Sequence, residues 1–158
     1  MNKYQQFGKI AEQIVFDLLN DGKQQVKKLS NKGPGTHGDF KKGQKTIESK
    51  GWWTDENTKS KKDYPSRAIQ LSGGEWRELQ KNPKKFELWA VYRLDRNHKI
   101  NKGFPVRYSV MPGEVLKKCK IQQVTLRTTY KDWDDSRVIQ KDVPLRLKKK
   151  YNLHKNEK

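Results

Sequence analysis

Residues 38–53 decide the fold, and they read Gly-Asp-Phe-Lys-Lys-Gly-Gln-Lys-Thr-Ile-Glu-Ser-Lys-Gly-Trp-Trp. The stretch Asp39-Phe40 and the longer run from Lys45 to Trp53 both have the character of β-strands. Glycine favours tight turns, so Lys42-Gly43 is predicted to join the two strands as a hairpin. The chain therefore places a charged hairpin at the centre of its N-terminal half.

The register of this hairpin determines which side chains share a face. With the turn at Lys42-Gly43, Lys41 faces Gln44, Asp39 opposes Thr46 and His37 opposes Glu48. Side chains alternate along a strand, so one face is predicted to carry the polar set and the other the apolar set. The polar face holds His37, Asp39, Thr46, Glu48 and Lys50, and the apolar face holds Phe40 and Ile47.

The polar face brings two carboxylates close to a lysine. Asp39 and Glu48 are predicted to be diagonal neighbours, about 7–8 Å apart at the backbone. Like charges so placed favour a cation between them, and Mg²⁺ suits carboxylate oxygens and retained waters. Lys50 is predicted to point toward the same site, where it could orient a water or stabilise developing negative charge.

The elements around the hairpin predict a mixed sheet flanked by helices. Residues 7–19 carry an apolar stripe at helical spacing, with Glu12 at its edge. Strands are predicted at 24–30, 67–71 and 86–94, the second of them as a third strand of the same sheet. Ser72 to Glu75 matches a capping box, and Asn82-Pro83 ends the helix that follows. The order αβββαβ indicates an α/β (α+β mixed) fold.

The chain of 158 residues is predicted to form one domain, residues 1–145. Its core spans about 7–94, and a β-rich extension follows over 97–145. Within this extension, strands are expected at 104–110 and 121–130, and Pro112 is expected to open a short helix. Residues 146–158 are mostly basic and are predicted to form a C-terminal tail.

The composition indicates a nucleic-acid partner. Thirty-six Lys and Arg against 18 Asp and Glu give a net charge of +18, and mean hydropathy is −1.16. Such an excess calls for a polyanion, and nucleic acid is favoured over an anionic membrane because there is no transmembrane run. Cys119 is the single cysteine, so no intrachain disulfide can form. A cytoplasmic, nucleoid-associated location is expected, or a nuclear one in a eukaryote.

In order and type, these residues resemble the PD-(D/E)XK nuclease superfamily. The resemblance covers about residues 7–94. It rests on Gly8-Lys9-Ile10-Ala11-Glu12, Gly38-Asp39-Phe40 and Ile47-Glu48-Ser49-Lys50. With Ile69-Gln70-Leu71-Ser72 and Glu75-Trp76, the chain also looks like NO VEIN C-terminal-type and Mrr-like restriction endonuclease domains. Its spacing is similar to that of small homing endonucleases and Holliday-junction resolvases.

The resemblance implies a restriction-endonuclease-like core and a role for each matching residue. Asp39 and Glu48 would bind Mg²⁺, with Mn²⁺ as a substitute, and the carbonyl of Ser49 would be a further ligand. Lys50 would be the catalytic lysine, with Glu12 and Gln70 as additional catalytic residues. The implied activity is hydrolysis of phosphodiester bonds in double-stranded or branched DNA. Cutting both strands requires two active sites, so a homodimer or higher homo-oligomer is expected.

Basic residues outside the hairpin are candidates for binding DNA. They lie beside Asp39, in the loop and strand after Trp53, and near the C-terminus, and they are His37, Lys59, Lys61, Lys62, Arg67, Lys148, Lys149 and Lys150. Either Trp52 or Trp53 could stack on a base, since consecutive strand residues face opposite ways.

Ordinary structural roles remain open for all of these residues. Asp39 could be a turn residue, Glu48 and Lys50 a weak surface ion pair, and Gln70 a surface strand residue. Among enzymes, a restriction or homing endonuclease is favoured over a junction resolvase, because the residues after Arg96 exceed what a resolvase core needs. A non-catalytic basic nucleic-acid-binding protein is the alternative from another class, and it rests on charge alone.

Overall fold

The computed structural model describes residues 3–29, 38–52, 68–94, 105–122 and 125–154. Six strands form a mixed sheet flanked by helices, and three more form a small separate sheet. In chain order the elements are α1 (Lys3–Leu19), β1 (Val26–Lys28), β2 (Phe40–Lys42), β3 (Lys45–Gly51), β4 (Ala68–Gln70), α2 (Gly73–Lys81), β5 (Phe86–Tyr92), β6 (Arg107–Pro112), α3 (Gly113–Leu116), β7 (Lys120–Gln122), β8 (Thr125–Arg127), α4 (Tyr130–Trp133), β9 (Ile139–Asp142) and α5 (Leu145–Lys150).

The large sheet has the order β1-β2-β3-β5-β6-β9. Strands β3 and β5 are parallel, and the other neighbours are antiparallel. A parallel pair needs a long crossover connection, and α2 lies within the one that joins β3 to β5. The mixed α/β class predicted from the sequence is confirmed at this level.

Helix α1 packs its apolar stripe on one face of the large sheet. The stripe contributes Phe7, Ala11, Ile14, Val15 and Leu19, which share a core with Phe40 and Ile47. Ile14 and Ile47 are almost fully buried, and each contributes about 1.5–3 kcal/mol on that account. This side of the sheet is called the α1 face below.

Phe16 of α1 lies beside the first two strands of the large sheet. It is half-buried and its ring centroid lies 5.7 Å from that of Phe40. The ammonium of Lys28 sits 4.5 Å from the centre of the Phe16 ring. The edge of the sheet therefore covers this side chain.

The opposite face of the sheet carries a second core. It joins β5 and β6 to α2, α3, α4 and the small sheet through residues such as Leu79, Leu88, Met111, Leu116 and Trp133. Helix α2 begins as predicted, because Ser72 and Glu75 form both hydrogen bonds of a capping box. It ends at Asn82, and the 3-10 turn Pro83–Lys85 follows.

Two strand predictions were wrong. Strand β4 does not join the large sheet; it pairs with β8 in the small sheet of order β4-β8-β7. The place beside β3 is taken by β5, whose residues are largely buried on both faces, as a central strand requires. The single strand predicted at 121–130 is instead the antiparallel pair β7 and β8, and α4 begins at Tyr130.

The structure also differs from the sequence prediction at the C-terminus. Residues 145–150 form α5, and Leu147 and Leu153 are buried in the core on the α1 face. Lys150 forms an ion pair of 2.9 Å with Asp17 of α1. The region predicted as a basic tail thus contains a packed helix, because its leucines are spaced to reach the core between exposed lysines. Within the described residues, no helix has the length and apolar character needed to cross a membrane.

Candidate functional site

The hairpin turn lies one residue later than predicted. Strands β2 and β3 pair Phe40 with Ile47, Lys41 with Thr46 and Lys42 with Lys45, so Gly43-Gln44 is the turn. Gly43 has φ +59, and a two-residue hairpin turn requires such a positive φ at its first residue. The predicted pairing was therefore wrong by two residues. A shift of two leaves the side chains of β2 and β3 on their predicted faces, because alternation has a period of two. Asp39 precedes β2, and its position is set by other contacts.

The corrected register brings Asp39 onto the Glu48-Ser49 segment rather than beside Thr46. The backbone N–H of Asp39 donates to the carbonyl of Ile47 at 2.8 Å. Its carboxylate Oδ2 accepts two hydrogen bonds from Ser49, at 2.8 Å from the backbone nitrogen and 2.7 Å from the hydroxyl. Asp39 is thereby fixed against the strand that carries the other two candidate residues.

Gly38 makes the close approach of Asp39 to β3 feasible. Its φ is +152, and a Cβ atom there would lie 2.8 Å from Thr46 Cγ2 and 3.0 Å from the Ile47 carbonyl oxygen. Any side chain at this position would force the two strands apart. The glycine before Asp39 is thus part of what positions the carboxylate.

Glu48 is a buried carboxylate with an incomplete set of partners. Its residue is 3% exposed, and Lys50 Nζ lies 2.6 Å from its Oε1. Its other oxygen, Oε2, is buried and has no hydrogen-bond partner among the residues that the structure describes. Burying a charged oxygen without a partner is costly, so Oε2 marks a position where a cation or donor would be stabilising.

Charges around the pair shift both pKa values. Burial raises the pKa of Glu48 well above its ordinary value, the nearby Lys50 ammonium opposes this, and the carboxylates of Asp39 and Glu75 add to it. Burial alone would lower the pKa of Lys50, but the charge and hydrogen bond of Glu48, with Glu75 and Asp39, raise it. Lys50 therefore stays a cation, held against Glu48, in an excess of negative charge.

Glu12 lies at the margin of this cluster. Burial raises the pKa of Glu12, and the charge of Asp39 raises it further, while Lys28 and Lys9 oppose the shift. The half-buried Glu12 is thus near enough to Asp39 to interact with it through space. It approaches from α1.

Glu75 is a member of the cluster that the sequence did not indicate. The sequence assigned it only to the capping box, where its carboxylate accepts from the Ser72 N–H at 2.7 Å. In the fold, the first turn of α2 brings its charge close enough to affect Glu48 and Lys50. The capping motif locates the helix start, but only tertiary packing places that start beside β3.

Other predicted site residues lie elsewhere. Gln70 is exposed on β4 in the small sheet. Lys148, Lys149 and Lys150 lie on α5, where Lys148 is buried and Lys150 is paired with Asp17. The remaining DNA-binding candidates fall outside the described residues, and they are His37, Lys59, Lys61, Lys62 and Arg67.

Of the two tryptophans predicted as candidates for base stacking, the structure describes only Trp52. Trp52 is buried and meets Trp133 edge to face, with ring centroids 6.2 Å apart. It belongs to the core opposite α1. Trp53 lies outside the described residues.

The residues that could hold the predicted magnesium ion are Asp39 and Glu48. The described residues contain no group of three or more His, Cys, Asp or Glu side chains arranged to hold a metal. Two carboxylates with a backbone carbonyl are nevertheless a usual set for Mg²⁺, which keeps much of its water. The buried, unpaired Glu48 Oε2 beside Asp39 fits such an ion, and a role for the Ser49 carbonyl stays a prediction.

Fold and site together define a mixed α/β protein whose central hairpin carries a Glu48–Lys50 ion pair, with the Asp39 carboxylate bonded to Ser49 between them in sequence. No family model, curated protein or solved structure gives a match to this chain.

Proposed function

We propose that this protein is a magnesium-dependent DNA endonuclease with a restriction-endonuclease-like core. The observation that carries the proposal is the buried Glu48 carboxylate, which holds Lys50 on one oxygen and has no partner on the other among the described residues, with Asp39 bonded to the neighbouring Ser49. Buried charges in incomplete arrangements are typical of functional sites rather than of structural ion pairs. The net charge of +18 supports a polyanionic substrate.

Each residue has a distinct role in the proposed reaction. Asp39 and Glu48 Oε2 would hold the ion, and Ser49 fixes Asp39 through two hydrogen bonds. Mg²⁺ bound there would lower the pKa of a water and neutralise charge on the phosphate. Lys50, kept in place by Glu48 Oε1, orients the attacking water and stabilises the extra negative charge of the transition state.

The reaction is hydrolysis of a phosphodiester. The water oxygen bonds to phosphorus and releases a proton to solvent, the bond from phosphorus to the leaving sugar oxygen breaks, and that oxygen takes up a proton from solvent, which leaves a phosphate monoester and an alcohol. Glu12 and Glu75 add negative charge around the site, which strengthens the attraction for a divalent cation. A homodimer or higher homo-oligomer would supply the two sites that a double-strand cut requires.

The test is cleavage of supercoiled plasmid with Mg²⁺ by the wild type and by Asp39→Asn. We expect the variant to lose activity by at least about 100-fold, as when a group that stabilises charge in a transition state is removed. Asp142→Asn is the matched control, because Asp142 is an exposed aspartate on β9 at the other edge of the sheet. Equal activity of wild type and Asp39→Asn would reject the proposed site.

Two further assays decide between related functions. A four-way junction compared with its linear duplex arms separates a resolvase from a restriction or homing type of enzyme. Calorimetric Mg²⁺ titration addresses the non-catalytic alternative, which predicts no specific site that Asp39→Asn removes.

A further inference from the structure

The lysines of β1, β2 and β3 fall into two groups according to the face they occupy. Cross-strand partners share a face, so the pairing of Lys28 with Phe40 and of Lys42 with Lys45 places these three lysines on the α1 face. Lys27 pairs with Lys41, and Lys41 with Thr46. Because Thr46 and Glu48 are two residues apart, this second row lies on the face of the candidate site.

Every lysine on the α1 face has a partner within the protein. Lys28 lies over the Phe16 ring, Lys42 Nζ donates to the Leu19 carbonyl at 2.7 Å, and Lys45 pairs with Glu87 at 2.8 Å. Two of these contacts join β1 and β2 to α1, and the third joins β3 to β5. The three lysines therefore stabilise the fold.

Lys27 and Lys41 have no such partners among the described parts of the chain. They are directly opposite each other on adjacent antiparallel strands, an arrangement in which like charges repel. No acid of the described residues shares their row, whose next member is the buried Thr46. A negative group from outside the protein would remove this repulsion.

The position of this pair relative to the candidate site indicates what that group is. Lys41 pairs with Thr46, and Thr46 lies two residues before Glu48 on the same face of β3, a distance of about 7 Å along the strand. Lys27 is exposed on β1, the edge strand of the sheet. The row therefore runs beside the Glu48 position toward the edge of the sheet, where a polymer that crosses the site would lie.

We infer that Lys27 and Lys41 form a phosphate-binding platform that holds the DNA backbone next to the candidate site. The choice of DNA rests on the proposed function. Two lysines that each neutralise a phosphate release counterions, so the affinity that they contribute falls as the salt concentration rises. The platform aligns the DNA strand, and Asp39, Glu48 and Lys50 act on its phosphodiester bond.

The experiment measures binding of the full chain to duplex DNA in EDTA, by fluorescence anisotropy over a range of salt concentrations. Lys27→Gln/Lys41→Gln should weaken binding on the order of tenfold near physiological salt, and reduce the salt slope by about 1.8. Lys28→Gln/Lys45→Gln is the control, with the same change of charge on β1 and β3 but on the α1 face. It should change the slope by less than half as much.

A second variant guards against effects on folding. Lys41→Glu replaces the like-charge pair with an opposite-charge pair to Lys27, so its unfolding midpoint should equal or exceed that of the wild type. It should still bind DNA more weakly than Lys41→Gln. Tighter or unchanged binding by Lys41→Glu would overturn the inference.

The remaining outcomes are equally decisive. Equal loss of affinity in the two double variants would show that DNA responds only to total charge, and would overturn the platform. So would a Lys27→Gln/Lys41→Gln variant that keeps its DNA affinity but loses binding to phosphatidylglycerol vesicles. The binding assay is done in EDTA and does not depend on metal. If the wild type fails to cut DNA with Mg²⁺, only the proposed function is rejected, and the result for the platform is unaffected.

Discussion

The two faces of the β2–β3 hairpin use the same strands for opposite purposes. On the α1 face, Phe40 and Ile47 are buried, and Lys45 is paired with Glu87. On the other face, Glu48 is as deeply buried, yet one of its carboxylate oxygens has no partner in the described structure. Burial of apolar side chains on the first face stabilises the fold. Burial of the Glu48 carboxylate on the second face is unfavourable unless a cation binds to its free oxygen.

The largest expected difference between the faces concerns activity. Lys50→Ala should reduce Mg²⁺-dependent plasmid cleavage by about 100- to 1,000-fold, because it removes a positive charge placed at the reacting group. Lys45→Ala removes a lysine from the same strand but from the α1 face, and should change the rate by less than about threefold. Similar losses in both variants would contradict a functional division between the faces.

Stability should show the reverse pattern. Ile47→Ala deletes a fully buried side chain between β3 and α1, and should lower the free energy of unfolding by about 3 kcal/mol. At a temperature where it remains folded, its cleavage rate should stay near that of the wild type. Urea unfolding followed by circular dichroism measures the first quantity. A stable Ile47→Ala protein without activity would place Ile47 in the site and break the comparison.

Magnesium should stabilise the protein through the site face alone. At 100 times its dissociation constant, Mg²⁺ should raise the free energy of unfolding by about 2.7 kcal/mol, since it binds only the folded chain. Asp39→Asn should lose this increase, and Lys45→Ala should keep it. The measurement is the unfolding midpoint in Mg²⁺ against EDTA. An increase of the same size in Asp39→Asn would locate the ion elsewhere.

The smallest expected effect is a change in pH dependence. Burial, with the charges of Asp39 and Glu75, raises the pKa of Glu48, so this carboxylate binds a proton at higher pH than an ordinary glutamate. A metal must displace that proton, and Mg²⁺ affinity should therefore fall on acidification and level off above the raised pKa. Calorimetric titration over a series of pH values gives the midpoint.

Glu75→Gln tests the contribution of the helix. Glutamine preserves the capping box but removes the charge, so the midpoint should move to lower pH. Glu78→Gln makes the same substitution three residues later in α2, and should leave the midpoint nearer its wild-type position. A midpoint that Glu75→Gln does not move would remove Glu75 from the site.

The sequence predicted the faces of the hairpin better than its pairing. Alternation put Phe40 and Ile47 on one face and Glu48 and Lys50 on the other, and a register error of two residues could not disturb that assignment. Asp39 was predicted on the face of Glu48, but it precedes β2 and bonds the hydroxyl of Ser49, which shares the face of Ile47. The error arose at the turn, where the positive φ belongs to the first residue, Gly43, and not to the second. The helices α1 and α2 were likewise indicated by local signals, an apolar stripe and a capping box.

Contacts between distant parts of the chain could not be predicted in this way. The strand β4 resembles a sheet neighbour of β3, but its partner β8 lies far along the chain. The same limitation applies to Glu75, whose proximity to Glu48 depends on how α2 packs. The C-terminal segment was predicted to be a tail because most of its residues are basic. Two leucines among them, Leu147 and Leu153, are buried in the core and anchor the segment.

Gly51, which ends β3 directly after Lys50, constrains how this protein can evolve. A Cβ atom there would lie 2.6 Å from the carbonyl oxygen of Phe7 and 2.7 Å from Ala11 Cβ, so helix and strand meet almost backbone to backbone. Larger residues at 11 or 51 would move α1, and with it Glu12, away from Asp39. Among descendants of this sequence, these two positions should therefore stay small together, even where surface lysines other than Lys27 and Lys41 are substituted.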